Sequence, residues 1–264
     1  MTRHGLIIGT SHSAALRLAW NDGPAHWPAQ WPAMTLDFAA LHGVVADFQV
    51  TGHSLTARNP AARQKLQDFT GQSAFDLDAY DFVALCGGTT STFHAVNLYN
   101  TTRWIGLPSA RTSLGPGLSL LSARCFETAL TGVIRAAPAL PLLQAIKASG
   151  TKASLFAIPH PALSHDVLNQ TQQHQGFIRL HRNGDAAALT QMLNRASLQA
   201  YAGLATYVPP PAVVREDDFF TDARFRRGAT RLGNQDNLPQ PADDFMHGNA
   251  DYGRHILSAL AALI

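Results

Sequence analysis

Five short apolar runs, each closed by glycine or proline, recur along this chain with helical patterns between them. No other feature narrows the possible folds as much. The first run covers residues 4–9 and ends at Gly9, the second covers 43–50 and leads to Gly52, and the third covers 81–86 and opens into Gly87-Gly88. The fourth, 153–158, is closed by Pro159-His160-Pro161, and the fifth, 204–208, by Pro209-Pro210-Pro211. Continuous apolarity suits strands buried on both faces, and the closing residues suit the points where such strands open into loops. Helical spacing appears at 13–20, 121–134, 139–149, 186–201 and 252–263. Strands alternating with helices predict a five-stranded parallel sheet covered on both sides: a three-layer α/β/α sandwich of flavodoxin-like type. Sites on such sheets form at the carboxyl ends of the strands, where Ser11, Gly52, Gly87, Gly88 and His160 are expected.

With 264 residues and no Gly/Ser linker, the chain reads as one domain, 1–264. Its 46% hydrophobic and 14% charged content is that of a packed globule. Residues 21–34, with three prolines and with Trp27 and Trp31, read as an irregular surface loop. The polar stretch 215–243 reads as a long loop over the top of the sheet, which would carry Asp244 and His247 toward Ser11.

The formal net charge is +2, and the only basic cluster is Arg224, Arg226, Arg227 and Arg231. That is too narrow to track a phosphate backbone, so nucleic acid is not an expected partner; the cluster suits a solvated loop or a small anionic group. No segment is long and apolar enough to span a bilayer, so a soluble, cytoplasmic protein with no membrane partner is expected. Cys86 and Cys125 match neither a disulfide framework nor a zinc pattern. His12, His53, His94 and His160 lie near predicted strand ends but lack metal-ligand spacing, and no metal or cofactor is expected.

Two short motifs carry chemistry. Ser11 follows a strand and precedes a helix, where Gly9 permits the turn and helix amides face the hydroxyl. Such a serine is either a helix cap or an exposed nucleophile. Asp244 and His247 are three residues apart before the last helix, a spacing that lets a carboxylate orient an imidazole that takes a serine proton. The same spacing also suits a cap, by Asp243 or Asp244, beside a surface histidine. Around these motifs, His12, Trp27, Trp31 and Arg58 are candidates for a substrate-binding rim, because aromatic faces stack on sugar rings and acyl chains, with burial against the domain an equal alternative for the two tryptophans. Arg58 and Arg111 could each receive a carboxylate or phosphate, with surface ion pairs as the alternative.

Read together, Gly9-Thr10-Ser11, a glycine after the second strand, Gly87-Gly88-Thr89-Thr90 and the terminal D-x-x-H resemble the blocks of the SGNH, or GDSL-like, hydrolase superfamily. The continuation His247-Gly248-Asn249-Ala250-Asp251-Tyr252-Gly253 is similar to the H-x-N-x-x-Y-G block of many bacterial members. The resemblance implies Ser11 as nucleophile, His247 as base and then acid, and Asp244 as orienter. It places the oxyanion hole at Ser11, Gly52, Gly88 and Thr90. Thr10 stands where the family has aspartate, and Thr90 where it has the oxyanion asparagine; Asn97 and the Gly88 amide are substitute donors. The implied activity is a serine esterase acting on small acyl esters, including O-acetyl groups on carbohydrate. The alternatives are an O-acyltransferase to a sugar or alcohol, favoured by an aromatic acceptor pocket near Trp27 and Trp31, and a catalytically weakened binding protein.

Overall fold

The computed structural model of the chain describes residues 2–28, 31, 33–41, 45–112, 117–170, 172–231 and 238–264. From the N-terminus the chain runs through β1 (Arg3–Gly9), α1 (Ser13–Asn21) and β2 (Met34–Ala40). It then makes an excursion through β3 (Phe48–Thr51), β4 (Ser54–Ala57), α2 (Pro60–Thr70) and β5 (Ala74–Asp76), whose strands form a small antiparallel sheet. It returns as β6 (Phe82–Cys86), followed by α3 (Thr92–Thr101), β7 (Thr102–Trp104), α4 (Pro108–Thr112) and β8 (Ser119–Leu121). Then come α5 (Ala123–Arg135), α6 (Ala139–Ala148), β9 (Ser154–Ile158), α7 (Gln175–Arg182), α8 (Ala186–Tyr201) and β10 (Thr206–Tyr207). A hairpin of β11 (Arg215–Glu216) and β12 (Phe220–Thr221) precedes the closing helix α9 (Ala250–Ala261).

The central sheet has the order β10-β9-β6-β1-β2, every neighbouring pair parallel. Alternate residues of each strand supply opposite faces, as the two-residue period of a strand requires. Leu6, Ile8, Val83 and Leu85 pack into the core that holds Leu140 and Leu143 of α6 and Leu189 of α8. Ile7, Ala84 and Phe156 face the other way, onto Leu16 and Ala19 of α1 and Ile256, Leu257 and Leu260 of α9. The sheet is therefore the middle of three layers. Among the described residues no single helix is long and apolar enough to cross a membrane.

The second strand differs from expectation. The apolar run 43–50 predicts the second strand, yet the strand beside β1 is Met34–Ala40, in register from Arg3 opposite Met34 to Gly9 opposite Ala40. β2 lies at the edge of the sheet, so it tolerates Thr35 and Asp37, whose polarity hides it in the sequence. Asp37 accepts a 2.8 Å hydrogen bond from the Tyr80 hydroxyl. Of the expected strand, Phe48–Thr51 enters the antiparallel sheet, and residues 43 and 44 lie outside the described residues. Gly52 is consequently not at the end of a parallel strand. It is exposed in the turn between β3 and β4, with φ of +56°, and its glycine serves that turn.

Candidate active site

The carboxyl end of β1 is built for close approach. A Cβ on Gly9 would stand 2.6 Å from the Ser13 Cβ and 2.8 Å from the Cys86 carbonyl oxygen, so only glycine fits. Thr10 N–H donates to the Cys86 carbonyl at 3.2 Å and Leu41 N–H to the Gly9 carbonyl at 3.1 Å, which ties the turn to the strands on either side. Gly87, at φ +102°, brings the turn after β6 against the Thr10 side chain, which any Cβ there would overlap. No side chain caps the start of α1, whose flanking residue is His12, and the Ser13 hydroxyl donates to the Thr10 carbonyl at 2.7 Å. The Ser11 hydroxyl, not spent on the helix start, is left for another partner.

That partner is His247. Its Nε2 lies 2.9 Å from Ser11 Oγ, and its Nδ1 lies 2.8 Å from Asp244 Oδ2. Burial by itself would raise the Asp244 pKa, but hydrogen bonds from the His247 ring and the Met246 amide outweigh it and hold the carboxyl below its ordinary value. An ionised Asp244 accepts from Nδ1–H, so the neutral ring presents a bare Nε2 to the serine proton.

The segment bearing this pair is fastened from several sides. Arg226 Nη1 donates to the carbonyls of Ala242 and Asp244 at 2.9 and 2.8 Å, and Arg226 Nη2 pairs with Asp166 at 3.3 Å. Ser164 N–H donates to the Phe245 carbonyl at 2.9 Å. Asn249 caps α9 by accepting from Tyr252 N–H at 3.0 Å, while its own amide donates to the Arg224 and Arg227 carbonyls. Tyr252 is buried, and Gly253 lets α9 touch α1, because a Cβ there would overlap the Ala15 carbonyl. Each position of the H-x-N-x-x-Y-G block therefore has a physical task. Within the arginine cluster, Arg226 is a loop fastener, a role the sequence did not signal.

Beside Ser11 opens a cavity of about 390 Å³ whose wall includes His12, Gly88, Ser91, His94, His160 and Met246. His12 is buried, its ring centroid 4.4 Å from that of His160 and 4.8 Å from that of His247. Burial, followed by the neighbouring His160 and His247, holds its pKa well below the ordinary value. Burial, with His94 and His247, lowers His160 to about 4. Burial also lowers His94. Near neutral pH the cavity is accordingly lined by uncharged imidazoles. Gly88 N–H donates to His160 Nε2 at 2.7 Å, so the neutral ring carries its hydrogen on Nδ1. The Nδ1 atoms of His12 and His94 are buried without a protein partner.

Other expected site residues lie elsewhere. Thr90 is buried with Oγ1 3.1 Å from Ser197 Oγ of α8, on the wall of a separate apolar cavity of about 40 Å³ beyond His160. The turn after β6 alternates direction, sending Gly88, Thr89 and Ser91 to the Ser11 cavity and Thr90 away from it. Trp27 stacks on Trp20 at 4.0 Å between ring centroids, and Trp31 Nε1 donates to Ser258 Oγ of α9 at 2.8 Å. Both tryptophans cover the outer helices and leave the cavity rim, since large apolar faces gain more from that burial. Arg58 is exposed and donates to the Ala46 carbonyl, and Arg111 and Asn97 are exposed on their helices. His94, noted in the sequence only for its place near a strand end, reaches the cavity from α3, while nothing in the spacing of Ser91 and Met246 marks them as cavity residues.

The fold and site together define a three-layer α/β/α protein with a serine–histidine–aspartate hydrogen-bond chain at the carboxyl end of its sheet. No family model matches the chain, and neither does any curated protein. Among solved structures it is similar to phospholipase A1 from Streptomyces albidoflavus NA297, at 14% identity over 99% of each chain, with a TM-score of 0.41. It is also similar to a DUF4886 family protein from Bacteroides uniformis ATCC 8492, at 11% identity over 99% of this chain and 94% of that one, with a TM-score of 0.34. Neither likeness assigns a role to a residue here.

Proposed function

We propose that this protein is a single-domain SGNH-like serine hydrolase that cleaves small acyl esters, O-acetyl groups on carbohydrate among them. The observation that carries the reading is the continuous chain from Ser11 Oγ through both nitrogens of His247 to Asp244 Oδ2, at 2.9 and 2.8 Å. His247 takes the Ser11 proton as the oxygen attacks the ester carbonyl carbon. Asp244 stabilises the resulting imidazolium, which then protonates the departing alcohol and leaves an acyl-serine. A water deprotonated by His247 attacks the acyl carbonyl, and the proton returned to Ser11 Oγ releases the acid.

The developing oxyanion sits at the head of α1, where the Ser11 amide and the positive end of the helix favour negative charge. Ser91 and the neutral His12 and His160 rings line the same space and supply polar groups to a substrate. A cavity of about 390 Å³ whose wall combines Val45, Phe93, Pro138 and Met246 with Ser91 and three imidazoles has apolar surface for a short acyl group and polar groups for its alcohol. Trp27 and Trp31, which motivated an acyl-acceptor site, lie away from this cavity, so water is retained as acceptor.

Labelling with a fluorophosphonate tests the reading. The native protein is expected to be labelled once and the Ser11→Ala variant not at all, with acetyl esters hydrolysed faster than long-chain esters. A folded native protein that takes no label refutes the proposal.

A further inference from the structure

Away from the Ser11 cavity, His165, His181 and Asp217 bring three ligand atoms within 4.8 Å of one another. They come from three segments: His165 from the 3₁₀ turn His165–Asn169, His181 from the last turn of α7, and Asp217 from the tip of the β11–β12 hairpin. Asp217 Oδ2 lies 2.9 Å from His165 Nε2 and 3.5 Å from His181 Nδ1. A tetrahedral ion with bonds of about 2.0–2.2 Å to nitrogen and oxygen needs ligand atoms about 3.3 Å apart. The two observed separations bracket that edge.

The surroundings fit the same purpose. His165 Nδ1, the nitrogen not turned to the cluster, faces Glu216 Oε1 at 3.6 Å, the place of an outer carboxylate that orients a metal-bound imidazole. The Phe220 ring stands edge-on to both imidazoles, with centroids 5.7 and 6.1 Å away. Asp217 has φ of +48°, a left-handed conformation uncommon for residues other than glycine. Ion pairs near a protein surface contribute little, so the two pairs by themselves do little to hold the hairpin.

We propose that His165, His181 and Asp217 form a binding site for a divalent transition-metal ion of the zinc type, with water completing the tetrahedron. The ion ties the β11–β12 hairpin to α7. That hairpin also supplies Asp218, Phe219 and Thr221 to the wall of the apolar cavity beyond His160, so the ion braces this wall.

The test uses the full chain freed of metal by a chelator. Calorimetric titration with Zn²⁺ alone should show one strong site, and Co²⁺ should give the visible absorption of a tetrahedral complex. His181→Ala and, separately, Asp217→Asn should each abolish both signals; asparagine tolerates the left-handed backbone, so the second variant folds even if the first does not. Glu216→Gln should keep the site and weaken it on the order of 10-fold. A native protein that binds no Zn²⁺, or binds it as well after both substitutions, overturns the proposal.

Discussion

His247 Nε2 stands 2.9 Å from Ser11 Oγ, although 236 positions separate the two residues. The contact depends on an imidazole held in one tautomer, and that is the work of Asp244.

Replacing Asp244 by asparagine leaves an oxygen for the Met246 amide but removes the ionised acceptor of His247 Nδ1–H. The rate of fluorophosphonate labelling should fall on the order of 10³- to 10⁴-fold, with the melting temperature little changed. A loss of less than tenfold would show that Asp244 does not fix the ring.

Thr90→Val separates the family pattern from the geometry. If Thr90 supplied the oxyanion donor, the change would cost on the order of 100- to 1,000-fold in rate. Its hydroxyl instead faces Ser197, which also donates to the Leu193 carbonyl at 2.7 Å. Ester hydrolysis should therefore stay within about twofold of native, with a stability loss of about 1 kcal/mol in urea unfolding.

The buried imidazoles make stability depend on pH. His160 titrates at about 4 in the folded chain against 6.5 as its ordinary value. Between these values the unfolded chain binds a proton that the folded chain does not, so stability falls as pH drops through that window. The loss from His160 amounts to about 3 kcal/mol, is complete near its folded pKa, and is absent above its ordinary value. His12 is shifted the same way and adds to the slope. Urea unfolding at neutral and acid pH should show a shallower dependence in His160→Gln than in the native protein; equal slopes would refute the assignment.

Gly253→Ala places a methyl group against the Ala15 backbone carbonyl, which cannot move aside as a side-chain tip can. The expected cost is about 1–3 kcal/mol. Because α9 follows directly on the His247 segment, labelling of Ser11 should slow as well. Unchanged labelling at lowered stability would mean that the loop, and not the helix pair, positions the base.

The sequence revealed most where a signal was local. The runs at 81–86 and 153–158 are apolar on both faces, and they became β6 and β9. The edge strand β2 was hidden because one polar side lets Thr35 and Asp37 sit within it, after a proline-rich stretch that reads as loop. Ser11 and the D-x-x-H pair stood out because their chemistry requires particular residue types at fixed spacing. The direction of Thr90, the outward packing of Trp27 and Trp31, and the inward reach of Arg226 depend on turn geometry and on distant partners such as Ser197, Ser258 and the Asp244 carbonyl. None of these leaves a periodic trace.

Asn249 stitches the end of the crossing segment to α9, and α9 lies on the helix that begins beside Ser11. Ser11 and His247 thereby stand at the heads of two packed helices, so the span of the proton path between them rests on how α1 and α9 meet as well as on the ties that hold the His247 segment.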